Sequence, residues 1–181
     1  MDHNVLAVLL QQTLEKSTQK NAETELEKIK KIIGFCPGLL QVVMSANLDQ
    51  AVRQAGVIYF KNLISTSWVV KEANETIPIP IDPLPFSIHE QDKALIRESI
   101  VQAAVMAPEV IRIQLAVCIC MIIKHDFPHR WPEVVQKIRY RKQLALFCHW
   151  CISIYVMTSR IFPPTHKFTF TFLATIFQAR R

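Results

Sequence analysis

The side chains best suited to chemistry in this 181-residue chain are its five cysteines and six histidines. Cys148–His149–Trp150–Cys151 has the C-x-x-C spacing of a redox dithiol or of half a zinc site. A redox pair needs a helix N-terminus behind a strand to activate its thiol, and no βαβ pattern surrounds this one. A zinc site needs a second ligand pair, and Cys118 and Cys120, separated by one residue, fall on different sides of a helix. His125 and His129 are four apart, but Pro128 interrupts the helix that would align them. Phosphate-cradling glycine loops, nucleophile elbows and paired carboxylates within an apolar run are missing from the sequence. The expectation is a protein without catalysis, metal or cofactor, acting by surface recognition.

The odd cysteine count, and a beginning that carries acids but no secretion-type apolar segment, point to a reducing compartment. The net charge of +6 invites a nucleic-acid reading. Residues 1–140, however, hold 15 Lys+Arg and all 15 acids, and the excess is carried by Arg141, Lys142, Arg160, Lys167, Arg180 and Arg181. No basic stripe follows a helix face, so direct nucleic-acid binding is not expected.

The elements that must display any recognition surface are helical. Three glycines are few for a sheet protein, and the ten prolines cluster between apolar-periodic runs. Asn4 to Leu14 and Thr18 to Ile33 read as a hairpin, the second helix with Ala22, Leu26, Ile29, Ile32 and Ile33 on one side and Glu27–Lys31 as an i,i+4 pair. Gly34 suits the position just past its end. Pro37 opens a third helix through Met44, and Asp49 caps a fourth, Asp49 to Trp68.

At 100° per residue, Val52, Ala55, Gly56, Tyr59 and Leu63 share one side of that fourth helix, with Phe60 at its edge. Gln54 and Lys61 fall opposite, flanked by Arg53 and by the apolar Val57 and Ile58. This mixed face is the kind that meets a protein partner.

Four prolines within Val69 to Phe86 predict an extended surface loop (69–87). Ser87–Ile88–His89–Glu90 has capping-box spacing at the start of a fifth helix, about Ile88 to Met106. Pro108 starts a sixth, apolar almost all round from Val110 to Ile123 and therefore expected inside a stack. A seventh begins at Pro132 and runs through Val134, Val135 and Ile138. Three hairpins at 35–50-residue spacing fit a helical solenoid, with a compact helical bundle as the alternative.

From about Tyr140 the character changes. Leu144 to Met157 is apolar except for His149 and Ser153, short of the roughly 20 residues that span a bilayer. Phe168–Thr169–Phe170–Thr171–Phe172 alternates like a strand. The organisation expected is a helical domain over 1–139 and a foreign tail over 140–181.

Two segments carry a family resemblance: Val52–Arg53–Gln54–Ala55–Gly56–Val57–Ile58–Tyr59–Phe60–Lys61–Asn62, and Ile123–Lys124–His125–Asp126–Phe127–Pro128–His129–Arg130–Trp131–Pro132. In this order and spacing they resemble the N-terminal domain of importin-β-type nuclear transport receptors, nearest the importin-seven and importin-eight branch. The resemblance runs from about Asn4 to Ile138. It implies an all-α, right-handed HEAT-repeat solenoid of about three hairpins plus one partial, its second, fourth and sixth helices lining a concave face.

In the family the first such helices bind the small GTPase Ran in its GTP form. The implied Ran-binding candidates here are Arg53, Gln54, Val57, Lys61 and Asn62, with Gln114 and His125 from the sixth helix. Tyr59 and Trp131 read as packing residues. Import cargo and nucleoporins are partners of the full-length family only, and cytoplasm and nucleus are the implied locations. Because the resemblance stops near Tyr140, the expectation is a truncated product. The alternatives are a helical scaffold that does not transport, a non-functional product without Ran binding, or a membrane-associated protein.

Overall fold

The structure, a computed structural model, describes residues 2–69 and 86–139. The readings made for the loop and for the tail, including Cys148–Cys151 and the Phe-Thr alternation, lie outside these residues. The described residues are 74% helical and contain no strand. Their helices are α1 (His3–Gln12), α2 (Gln19–Ile29), α3 (Phe35–Met44), α4 (Gln50–Ser67), α5 (Glu90–Met106), α6 (Glu109–Asp126) and α7 (Val134–Arg139). Two compact units divide the chain, Met1–His125 and Asp126–Arg181. None of the described helices is long and apolar enough to cross a membrane.

In the first unit, α1 packs on α2 and α3 packs on α4, while α1 also meets α3 and α4, and α3 meets α5. The odd-numbered helices therefore follow one another as a layer, the ladder of a HEAT-type solenoid. Leu6, Leu10, Phe35, Leu39, Val43, Ile96 and Ile100 fill this layer at 4% exposure or less.

Local chemistry sets the boundaries. Asp2 caps α1 by accepting from the Asn4 N–H at 2.9 Å. Only Ala22 and Leu26 of α2 are buried, and its surface carries the i,i+3 pairs Lys28–Glu25 and Lys30–Glu27 in place of the expected i,i+4 pair. This helix stops at Ile29, four residues before the sequence stripe ends, so Ile32 and Ile33 are exposed rather than on its core side. Gly34, at φ +88°, is the N-cap of α3, a left-handed conformation that glycine adopts without strain. Proline at position 37 sits in the first turn of α3, where its missing N–H removes no helical bond.

Buried charges tie the first repeat to the third. The Gly34 N–H donates to both carboxylate oxygens of Asp92, at 2.8 and 3.0 Å, and Asp92 is buried in α5. His89 Nε2–H donates to the Lys31 carbonyl at 3.0 Å. Trp68, buried at the end of α4, has the Lys93 ammonium and the Arg97 guanidinium over its ring at 5.8 and 5.9 Å. Lys93 is also paired with Glu90 at 2.8 Å. These contacts place α5 against the turn before α3 and the end of α4.

The capping box predicted at Ser87 does not form. His89 is the N-cap of α5, and Ser87 Oγ lies 3.5 Å from the Ser67 carbonyl, which also accepts from the Ile88 N–H at 2.9 Å. The residues flanking the proline-rich stretch are thus joined directly. In the second unit the Arg130 and Trp131 N–H groups donate to the Asp126 carbonyl at 2.7 and 3.1 Å, and Trp131, Val134 and Ile138 are buried.

Candidate protein-recognition face

Four consecutive apolar residues, Val57 to Phe60, leave the rotation of α4 open in the sequence, and packing decides it. Val52, Gly56, Val57, Phe60, Leu63, Ile64 and Ser67 are buried, a stripe of period 3.6 centred on Phe60. Gly56 marks its closest approach: a Cβ there would stand 3.0 Å from Val43 Cγ2 on α3 and 3.1 Å from Leu10 Cδ1 on α1. The stripe is rotated by about one residue from the sequence reading, so Ala55 and Tyr59 are half-buried on its flank.

That rotation sorts the predicted contacts. Val57 is 1% exposed and packs inside, and Ile58, outside the predicted set, is 46% exposed instead. The Arg53 Nε–H donates to the Val43 carbonyl at 2.8 Å, so its guanidinium closes the C-terminal end of α3. Gln54 and Lys61 are half-buried on one flank, and Asn62 and Ser65 are exposed. The open stripe of α4 therefore runs through Ala51, Ile58, Asn62 and Ser65, with Gln54 and Lys61 along its edge.

The two flanks of α4 reach the neighbouring even-numbered helices. On one side the Tyr59 hydroxyl donates to Glu27 Oε1 of α2 at 3.4 Å, and its ring meets Phe35 edge-on at 6.2 Å between centroids. Burial first, and then the Glu27 carboxylate, raise the Tyr59 pKa, which keeps the phenol a neutral donor. On the other side Lys61 is close enough to Cys118 of α6 to act on it electrostatically. Burial pushes the Cys118 thiol well up, and Lys61 opposes the rise. Gln114 is half-buried one turn before Cys118, and His125 is exposed at the far end of α6.

Lys61 and Gln114 thus belong to adjoining helices, whereas Arg53 and Val57 face the odd-numbered layer. The sequence signal for Ile58 was its i,i+4 spacing from both Gln54 and Asn62, and the apolar run around it obscured that signal.

The thiols offer little chemistry. Burial and the Asp92 carboxylate push Cys36 up to about 12, so it stays protonated. No group of His, Cys, Asp and Glu among the described residues is placed to hold a metal ion. The arrangement suits protein recognition: a polar stripe with an apolar side chain at its centre on a helix packed along its opposite side.

Comparison with known proteins supplies the context. A family model described as the importin-beta N-terminal domain matches residues 22–105, which include all of α4. The chain is 41% identical over 155 residues to importin-8 of Mus musculus, covering 85% of this chain and 15% of the relative. It is 44% identical over 154 residues to importin-8 of Danio rerio, again covering 85% and 15%. The chain therefore spans about a seventh of these relatives. Among solved structures, the exportin Cse1 in its cargo-free, cytoplasmic state has a TM-score of 0.77 at 23% identity, covering 99% of this chain and 19% of that one. That likeness is one of fold.

Proposed function

This chain belongs to the importin-beta family through its N-terminal domain, and on that premise we propose that its even-numbered helices recognise the small GTPase Ran in its GTP form. The observation that carries the reading is the open stripe of α4, a face inside the matched domain with Ile58 at its centre. Gln54, Lys61 and Asn62 surround it, and Gln114 and His125 extend it on α6. Arg53 and Val57 support it from behind, one by closing α3 and the other by packing.

The chemistry is complementarity between surfaces, with no bond made or broken. Discrimination between GTP and GDP forms comes from the partner, whose surface differs between the two states, so the protein needs a face that fits only one of them. Transport of cargo, contact with nucleoporins and traffic between cytoplasm and nucleus belong to this reading as activities of the longer receptors. A helical scaffold without Ran contact is the competing assignment.

Equilibrium binding of the full chain to Ran loaded with GTP and with GDP tests the proposal. At least about tenfold tighter binding of the GTP form is expected, a modest coupling of one to two kcal/mol. Equal affinity for the two forms, or no binding of either, contradicts it.

A further inference from the structure

We infer that Lys61 is the charge-reading residue of the α4 face and takes a carboxylate of the partner beside Ile58. This deepens the reading of α4 as the Ran-binding face and rests on it.

The other buried or half-buried cations among the described residues all have partners. Arg53 donates to the Val43 carbonyl, Lys30 pairs with Glu27, Lys93 pairs with Glu90, and Arg97 stands 4.0 Å from the same Glu90. Lys137, also half-buried, has a partner as well. Lys28 pairs with Glu25 even though both are well exposed. Lys61 is half-buried, and among the described residues neither a carboxylate nor a carbonyl oxygen is bonded to it.

A partly desolvated ammonium without an acceptor is unfavourable unless water or a partner supplies one. The group that Lys61 does approach, the Cys118 thiol, is held protonated by burial and brings no negative charge to offset it. Its helical neighbours on the same side, Gln54, Ile58 and Ser65, are uncharged. An arriving carboxylate therefore meets an ammonium with no competing acid, on a stem whose half-burial limits its freedom. Such charge-assisted bonds are about twice as strong as neutral ones. Ile58 lies one turn before Lys61, so the complementary surface brings an apolar side chain next to its acid.

The test measures dissociation constants of GTP-loaded Ran for the full-chain wild type, Lys61→Met and Lys61→Arg, at about 50 and about 200 mM salt. Methionine keeps an unbranched apolar stem and removes the charge. Lys61→Met is expected to weaken binding about tenfold at the lower salt and to flatten the salt dependence. Lys61→Arg keeps both within about twofold, since a single carboxylate accepts either cation. Melting temperatures of the three proteins are expected to coincide.

Wild-type affinity and salt dependence in Lys61→Met overturn this inference while leaving the Ran reading in place. An equal loss in Lys61→Met at both salt concentrations assigns Lys61 a packing role and overturns it too. Failure of the wild type to bind GTP-loaded Ran overturns the Ran reading, and this inference with it.

Discussion

Phe60→Ala is expected to lower stability by about 3–5 kcal/mol, the range for removing a fully buried aromatic ring. Phe60 is 0% exposed and lies at the centre of the stripe that α4 turns towards α3. On the same stripe a Cβ added at Gly56 would already stand 3.0 Å from Val43 and 3.1 Å from Leu10, which leaves these helices little room to close over the vacated space. A small domain has roughly 5–15 kcal/mol in total, so this one change removes a large share. Thermal unfolding followed by circular dichroism should show the midpoint falling by about 10–20 °C. A fall of only a few degrees would mean that α4 is not packed as described.

Two residues earlier on the same helix, the opposite outcome is expected. Ile58→Asp should leave the melting temperature nearly unchanged, because Ile58 is 46% exposed and surface substitutions usually stay within about 0.5 kcal/mol. Binding of GTP-loaded Ran should weaken about thirtyfold or more, the loss that follows when a central apolar anchor becomes a charge that must be desolvated. Val57→Asp is the control. Val57 is 1% exposed, so the carboxylate would be buried without a partner and the fold itself should fail. If both aspartates behave alike, either by unfolding or by leaving binding intact, the orientation of α4 or its role is wrong.

The contrast between Val57 and Ile58 also shows where sequence reasoning stops. Helix positions and the pairing of the first four helices into two hairpins were legible, because apolar periodicity and proline placement both mark them. The rotation of α4 was not. Apolar residues occupy too much of its circumference for the period to fix a phase, and the phase is set by Leu10 and Val43 against Gly56. Ile32 and Ile33 misled in a similar way. They continue the stripe of α2 by spacing, yet the chain has already left the helix and is turning towards the left-handed Gly34.

Long-range polar contacts were the least visible features. Asp92 and Lys93 read as ordinary first-turn charges of α5, and nothing local to them indicates that Gly34 and Trp68 will enclose them. Ser87 has the right spacing for a capping box, but its hydroxyl approaches the Ser67 carbonyl twenty residues earlier in the chain. Of the recognition candidates read from the sequence, Asn62 lies on the open stripe of α4, and Gln54 and Lys61 lie along its edge. Arg53 was included because it flanks the mixed face of the helical wheel, whereas its Nε–H closes α3.

The central claim is that the open stripe of α4 is where the GTP form of Ran is recognised. Amide hydrogen exchange on the full chain, alone and with Ran loaded with GTP or with GDP, tests it most directly. The account predicts slowed exchange across residues 50–66 with the GTP form, extending to 114–125, and little change with the GDP form. Protection confined to other helices, or the same protection with both nucleotide forms, would contradict it.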